Sequence, residues 1–274
     1  MAAATVEDKS TSGRLPDIVR NVIFLALLWY LYGTARDVAL QGVGDAFDNA
    51  RTVVDVQRSV GLDIEAGLQR ALGSTLLFKA ANWYYLVHFP VTVAALVGTY
   101  VFARRTWFSQ LRNSIVAATS VALLVHVRYP LAPPRMLDGY LDTAAVFGPN
   151  PYALPGSDNA NQFAAMPSMH VGWAVLVALV LWSASSRPWV RVVGVAHALV
   201  TATVVIITAN HYVLDVLIGA GLALLAWYVM GRFERRNQDP FANYEKVETG
   251  MRRPTVESLR LRLERVSVTQ RGPQ

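Results

Sequence analysis

The feature that most constrains this chain is a series of long apolar blocks, each about 18 to 22 residues, the length of helix that crosses a hydrocarbon core of about 30 Å. Only 16% of the residues are charged, below the roughly 25% that is usual in soluble domains. The blocks occupy residues 18–35, 82–103, 111–129, 168–186, 190–209 and 211–231. The sequence therefore predicts an all-α polytopic membrane protein, built as a bundle of six transmembrane helices.

The distribution of basic residues predicts how this bundle is oriented. Arginines collect in the short segments after the second, fourth and sixth blocks: Arg104, Arg105, Arg112, Arg187, Arg191, Arg232, Arg235 and Arg236. Short basic loops stay on the cytoplasmic side of a cell membrane. We therefore expect a cytoplasmic N-terminal segment at 1–17, a membrane catalytic domain at 18–231 and a basic cytoplasmic tail at 232–274. Segments 36–81 and 130–167, and the turn at Asn210, would face outward.

The first apolar block has two interpretations. It follows a basic stretch, as the apolar core of a cleaved signal sequence does. Its far end, however, is crowded by Trp29, Tyr30 and Tyr32, and aromatic residues of this kind anchor retained helices at a membrane interface. The aromatic residues favour a retained anchor.

A further helix is predicted within the outward segment 36–81. Small apolar residues recur there at helical spacing, at Ala46, Ala50, Val53, Val56 and Val60, with charged residues between them and Gly61 after them. One apolar and one charged face are typical of a helix that lies along a membrane surface. We expect an interfacial amphipathic helix in addition to the six spans.

Charge and composition exclude some classes of function. The net charge of +6, from 25 Lys and Arg against 19 Asp and Glu, would allow nucleic-acid binding, but most basic residues flank apolar blocks or lie in the tail, which favours a membrane role and no nucleic acid. The chain has no cysteine. Disulfides, thiolate metal sites and a cysteine nucleophile are therefore excluded.

His211 and Asp215 form the sharpest local signal. Their i, i+4 spacing puts both side chains on one face of the helix that starts the last apolar block. The carboxylate can accept a hydrogen bond from one imidazole nitrogen and leave the other with an exposed lone pair, an arrangement that makes a nucleophile or a base. A salt bridge that only fastens the helix start is the alternative. This alternative is less favoured at membrane depth, because an unpaired ionisable group there costs on the order of 3 kcal/mol and is rarely kept without a function.

Two other clusters are predicted at the same membrane level. Arg128 and Arg135 bracket a turn stiffened by three prolines, and their guanidiniums suit a phosphate, although Arg128 could simply reach the headgroups from a span end. Ser168 can cap the helix that begins beside it, and leave amide donors facing an anion. His170 would then be the natural proton donor to a leaving oxygen.

Several other polar residues lie in segments that could reach a substrate. Of these, His88 and Tyr84 are the best outside candidates for lining the site, and headgroup contacts are expected from Asp142, Asn161, Asn210 and Tyr212. For His88, His126 and His197, a histidine hydrogen-bonded between helices is the simpler interpretation.

The chain resembles the type 2 phosphatidic acid phosphatase superfamily at three motifs, in the family's order. These are Arg128-x6-Arg135, Pro167-Ser168-x-His170 and His211-x3-Asp215. The residues in and around the motifs, and those of segment 82–89, look most like the branch that contains inositol phosphorylceramide synthases. The resemblance covers roughly residues 46 to 225. Arg128 replaces the family's usual Lys, Met136 replaces a Pro, and Val204, Val205 and Ile206 stand where a phosphate-binding Ser-Arg is expected.

The resemblance implies a reaction on a lipid phosphate or phospholipid at the outer side of the membrane. His211 would attack phosphorus, Asp215 would orient it, and His170 would protonate the leaving alkoxide. Arg128, Arg135 and Ser168 would hold the phosphate oxygens. Water would resolve the phosphohistidine in a phosphatase, and an alcohol such as inositol would resolve it in a transferase. No metal or other cofactor is implied, because the two arginines supply the positive charge.

Three rival functions follow from the same residues. A transporter would place its charges through the membrane thickness rather than at one level. An intramembrane serine hydrolase would need Ser168 activated by a histidine, yet Ser168 and His170 diverge at a helix start and the Gly-x-Ser-x-Gly context is absent. A histidine and carboxylate metal site would make the activity sensitive to chelators.

Overall fold

The computed structural model describes residues 43–103, 105–153 and 161–238. In these ranges strand pairing is limited to one isolated bridge, between Leu131 and Ala164. The α-helices of the described residues are α1 Val43–Ser59, α2 Glu65–Leu72, α3 Thr75–Phe102, α4 Arg105–Arg128, α5 Thr143–Phe147, α6 Met169–Ala184, α7 Pro188–Ile207 and α8 Val213–Gln238. Short 3-10 turns occupy Pro134–Met136 and Pro151–Ala153. The predicted span 18–35, the N-terminal segment 1–17 and the tail from 239 onward lie outside the described residues.

Four of the described helices are long and apolar enough to cross a membrane, over Thr75–Phe102, Thr106–Arg128, Pro188–Ile207 and Val213–Arg236. Their outer faces carry exposed apolar side chains such as Trp83, Val97, Leu199 and Leu224, as contact with lipid requires. The block predicted at 168–186 forms α6, a helix of only 16 residues, which is shorter than the roughly 20 residues of a usual span. The described residues therefore support an all-helical membrane fold, but not the full count of six spans.

The predicted boundaries of two spans are corrected at their starts. α3 begins at Thr75 rather than at residue 82, because Ser74 caps it by accepting a hydrogen bond from the Leu77 amide at 3.4 Å. α4 begins at Arg105 rather than at 111. Apolar runs mark only the part of a helix that suits lipid, whereas backbone hydrogen bonding continues through polar first turns.

The short helix α6 lies at the centre of the bundle and contacts α3, α4 and α7. Its buried side chains are small or medium in size: Val171, Gly172, Ala174, Leu176, Val177 and Val180. A Cβ at Gly194 of α7 would lie 3.1 Å from the Ala178 Cα of α6. Small residues permit this close backbone approach, which is how helices associate in a membrane.

A helix, α1, forms where the interfacial amphipathic helix is predicted, but its apolar side packs against protein, so a place at the membrane interface is not supported. Ala46, Ala50, Val53 and Val54 pack in one cluster with residues of three loops, Leu131, Ala132, Ala165 and Tyr212. The predicted face is corrected, because Val56 and Val60 are exposed while Gln57 is fully buried. α1 therefore covers the loops that carry the three sequence motifs.

The chain divides into two compact units, Met1–Tyr228 and Val229–Gln274. The first unit holds α1 to α7, most of α8 and all of the motif residues. The second is described only as far as residue 238, over the last turns of α8.

Gly219 makes a testable contribution to this packing. A Cβ at Gly219 would collide with the backbone carbonyl of Ser168, whereas a Cβ at the exposed Gly221 meets nothing within 4 Å. We expect Gly219→Ala to destabilise the protein by at least roughly 1–3 kcal/mol, because backbone must move. Gly221→Ala is the matched control, and should be neutral or slightly stabilising. Thermal unfolding in detergent measures both, and equal midpoints would contradict the described contact.

Candidate active site

The turn between α7 and α8 holds His211 in one position. Ala209 adopts a left-handed backbone conformation with φ of 53°, which is uncommon for a residue with a Cβ. The amides of Asn210 and His211 both donate to the Val205 carbonyl at 3.1 Å, and the Arg135 amide donates to the Ala209 carbonyl at 2.8 Å. These bonds tie the last turn of α7 and the proline-rich loop to the backbone on either side of His211.

The contacts of His211 determine which of its nitrogens is available. Nδ1 lies 2.8 Å from the Ala165 carbonyl oxygen. Because a carbonyl can only accept, Nδ1 carries the proton and Nε2 keeps its lone pair. Burial is the largest influence on this ring, and it lowers the pKa of His211 to about 4; the hydrogen bond to Ala165 opposes this shift and the charge of Arg135 adds to it. At neutral pH the ring is therefore an uncharged base.

Asp215 lies beside this imidazole, but not on a shared helix face as predicted, because α8 begins at Val213 and His211 lies in the turn before it. Its Oδ2 is 3.5 Å from His211 Nδ1 and accepts a shorter hydrogen bond of 2.9 Å from the Tyr212 amide. The main partner of Nδ1 is thus the Ala165 carbonyl. Asp215 is fully buried and its backbone carbonyl accepts from the Ser168 amide at 3.1 Å, which joins α8 to the start of α6.

Ser168 and His170 lie at the start of α6, at its N-cap and in its first turn. The rings of His170 and His211 have centroids 5.6 Å apart, and His170 stacks on Tyr85 at 4.2 Å. Ser168 holds the N-cap position without making the expected side-chain cap. Its buried Oγ has no hydrogen-bond partner among the described residues. The described residues therefore place no base within hydrogen-bond distance of this hydroxyl.

The two arginines differ in how they are held. Arg135 is buried, its Nε donates to Asn210 Oδ1 at 3.0 Å, and its Nη2 donates to Gln162 Oε1 at 3.2 Å. Arg128 ends α4 with an exposed side chain. The structure therefore brings Arg135 together with His211 through the turn at Asn210, and leaves Arg128 at the periphery.

The remaining candidates have mostly structural contacts. Tyr84 lies 2.6 Å from Nδ1 of His197 through its hydroxyl. Asp142 caps α5 by accepting from the Ala145 amide. Tyr212 is fully buried and donates to the Ala132 carbonyl at 2.9 Å, so its hydroxyl faces protein rather than a headgroup. Asn161 is half-buried and accepts from the Phe163 amide at 2.9 Å.

Two buried residues at the site were missed by the sequence analysis. Glu65 Oε1 accepts hydrogen bonds of 2.8 Å from the Gln57 side chain and from the Val213 amide, and Gln57 Oε1 accepts one of 2.8 Å from the Leu214 amide. With Asp215 on the Tyr212 amide, three successive amides at the start of α8 are satisfied by side chains. Spacing gives no signal for this cap, because Glu65 lies 148 positions before its partner Val213.

Loss of this cap should affect stability and turnover together. Glu65→Leu leaves the Val213 amide and the Gln57 side chain buried without an acceptor, at a cost of about 1–3 kcal/mol, and loosens the turn that holds His211. We expect a lower unfolding midpoint, and a kcat reduced roughly tenfold or more. Ser74→Ala removes the cap of α3 instead, and should lower the midpoint without changing kcat. Equal kcat values for Glu65→Leu and wild type would contradict this role.

Comparison with known proteins yields a match over most of this region. Residues 51–229 match the family model described as the PAP2 superfamily, a range that contains every residue of the three motifs. The phosphoinositol dihydroceramide synthase of Bacteroides thetaiotaomicron is 29% identical over 166 residues, which cover 54% of this chain and 53% of that protein. The chain thus spans about half the length of this curated relative. No solved structure matches.

Proposed function

Because the chain belongs to the PAP2 superfamily, we propose that it cleaves a phosphate ester of a membrane lipid through a phosphohistidine on His211. The observation that carries this proposal is the hydrogen bond between His211 Nδ1 and the Ala165 carbonyl. It leaves Nε2 as a lone-pair donor, on a ring whose centroid lies 5.6 Å from that of His170. A neutral imidazole held in one tautomer is what nucleophilic attack on phosphorus requires.

In the first step the Nε2 lone pair of His211 forms a bond to phosphorus, and the bond from phosphorus to the alcohol oxygen breaks. His170 gives its proton to that oxygen, which leaves as an alcohol. The phosphorylated ring of His211 keeps its Nδ1 proton and becomes cationic. The carboxylate of Asp215, 3.5 Å from Nδ1, stabilises this cation once it forms.

The phosphate is proposed to lie at the start of α6 rather than at the start of α8. The first amides of α8 are occupied by Asp215, Glu65 and Gln57. At α6 the Ser168 hydroxyl is buried and has no partner among the described residues, and a helix start attracts anions. Arg135 would approach the same oxygens, with Arg128 reaching in from the rim. The two guanidiniums supply charge without a metal.

In the second step an acceptor oxygen forms a bond to phosphorus and gives its proton to His170. The bond from phosphorus to His211 Nε2 breaks, and Nε2 recovers its lone pair. Water as acceptor makes the protein a lipid phosphatase. The alternative is a phosphotransferase, in which an alcohol such as inositol takes part and the moving phosphate carries a further ester. The name of the 29% identical relative, a phosphoinositol dihydroceramide synthase, favours this alternative. The residues around His211 serve both reactions equally.

The site is proposed to face the outer side of the cell membrane, with both termini in the cytoplasm. Support comes from the arginines after α3, between α6 and α7, and at the end of α8, which the cytoplasmic side retains. In α6 and α8 these arginines lie at the C-terminal end, whereas the site residues lie at the N-terminal end. A lipid headgroup would therefore reach His211 from the outer leaflet.

His211→Asn tests the covalent step. The Asn amide can replace Nδ1 as a donor to Ala165, but it offers no nucleophile in place of Nε2. We expect the full chain in detergent to be labelled by a substrate with radioactive phosphorus, with label that is stable to base and lost in acid, and His211→Asn to carry none. His126→Gln, which keeps a group near the Pro167 carbonyl, should label like wild type. Persistent labelling of His211→Asn would end the proposal.

Product analysis in the same reactions separates the two candidate functions. A phospholipid labelled at phosphorus is supplied with and without free inositol, and no metal is added. Release of inorganic phosphate identifies a phosphatase, while a new inositol-bearing lipid or soluble product identifies a transferase. Labelled His211 with either product supports the shared first step.

The lowered pKa of His211 predicts an unusual acid limit for labelling. Protonation removes the attacking lone pair, and the folded protein shifts that protonation from an ordinary pKa of 6.5 to about 4. With an aryl phosphate, whose good leaving group needs little help from His170, we expect the labelling rate to hold from neutral pH down and to halve only near pH 4. Stopped reactions across pH measure this rate. If the labelling rate is halved near pH 6.5 instead, the ring of His211 is exposed to water, and the described burial is contradicted.

A further inference from the structure

All five histidines of this chain lie among the described residues, and the proposed reaction uses only His170 and His211. His126 lies 3.4 Å from the Pro167 carbonyl through its Nε2. The other rings form a row: His211 to His170 at 5.6 Å, His170 to His88 at 5.2 Å, and His88 to His197 at 5.6 Å between centroids. This row runs from the attacking residue into the space between α3, α6 and α7.

Within this row His88 is unusual. It is buried, with a relative exposure of 1%. The backbone of His170 lies near its ring, but neither ring nitrogen has a well-formed hydrogen bond among the described residues. His197, by contrast, uses Nδ1 with the Tyr84 hydroxyl at 2.6 Å. Buried polar groups are almost always paired, and polar residues at membrane depth are expensive to keep. At least one nitrogen of His88 therefore needs a partner that the described residues do not supply.

We infer that His88 is a binding residue for the hydroxyl of an alcohol, on the leaving-group side of the phosphate. This inference rests on the proposed function. In-line transfer puts the leaving or incoming oxygen on the side of phosphorus opposite His211, and His170 must touch that oxygen to exchange its proton. His88, next in the row beyond His170, is then placed to bind the alcohol that carries this oxygen.

The chemistry of the neutral imidazole favours a hydroxyl over other ligands. A neutral ring has one N–H donor and one lone-pair acceptor, which point to opposite sides of the ring. A hydroxyl can pair with either nitrogen, since it both donates and accepts, and an alcohol with two hydroxyls can pair with both. An ionised phosphate oxygen only accepts, so it can pair with the N–H alone. A metal is disfavoured by geometry, because no group of three or more histidine or carboxylate side chains in the described parts of the chain is arranged to hold one.

The neighbours of His88 fit an alcohol of mixed polarity. Its ring lies parallel to the indole of Trp173, within 11° and with centroids 6.4 Å apart. The Trp173 indole N–H is engaged with Thr119 at 3.1 Å, so it presents an apolar face. An alcohol of this kind would place a hydroxyl on a His88 nitrogen and a hydrocarbon surface against the Trp173 indole.

His88→Phe tests the inference through two measurements on the full chain. The substitution keeps an aromatic ring and removes both nitrogens. Labelling of His211 by an aryl phosphate, whose leaving group has no further hydroxyl, should proceed at the wild-type rate. The division of the labelled enzyme between an added alcohol and water should shift at least tenfold toward water. His88→Gln, which restores a donor and an acceptor, should recover part of the preference for the alcohol.

Matched controls make each outcome decisive. His126→Phe removes another buried histidine and should leave the division between alcohol and water unchanged. If His88→Phe does not fold, His88→Met takes its place, because a flexible thioether side chain fits irregular gaps. An unchanged division in an apolar His88 variant would overturn the inference while leaving the proposed function intact. Absence of label on wild-type His211 would overturn the proposed function itself.

Discussion

The hydrogen bond between His211 and the Ala165 carbonyl is the interaction on which the rest of the site depends. It selects one tautomer of a buried ring, and it can do so only because three separate stretches of chain meet there. Ala165 lies in the loop before α6, His211 in the turn before α8, and Arg135 in the proline-rich loop that binds this turn through the Ala209 carbonyl. Each loop carries one motif, so the motifs are joined by backbone contacts as well as by shared chemistry.

The segment formed by α1 and α2 completes this arrangement from outside. Asn49 donates to the Pro130 carbonyl at 2.8 Å, the Ala132 amide donates to the Ala46 carbonyl at 3.1 Å, and Gln69 donates to the carbonyls of Leu141 and Ile207. Glu65 and Gln57 accept hydrogen bonds from the first amides of α8. Together, these bonds satisfy backbone groups that would otherwise be buried without partners. The segment formed by α1 and α2 therefore stabilises irregular backbone at the ends of the membrane helices. Helix hydrogen bonds cannot do this, because the chain is not helical there.

The sequence could predict the helical class and the meeting of His170, His211, Asp215 and Arg135, because apolar length and motif spacing are local signals. It could not predict that α3 starts at Thr75, since hydropathy does not detect a polar N-cap residue such as Ser74. It placed Val56 and Val60 on the buried face of α1, although Val54 and Gln57 lie there instead, because the buried side is chosen by loops far along the chain. Glu65 was missed for the same reason. The catalytic roles of the motif residues remain predictions.

The shortness of α6 affects the physical setting of the reaction. At 1.5 Å per residue, its 16 residues extend about 24 Å, several ångströms less than a hydrocarbon core of about 30 Å. His170 begins this helix, so a lipid ester in contact with it would sit recessed beneath the plane of the surrounding headgroups, or the bilayer would thin locally around the protein. In such a recess water is scarce, and the attraction between Arg135 and a phosphate is less weakened by solvent than at an open surface.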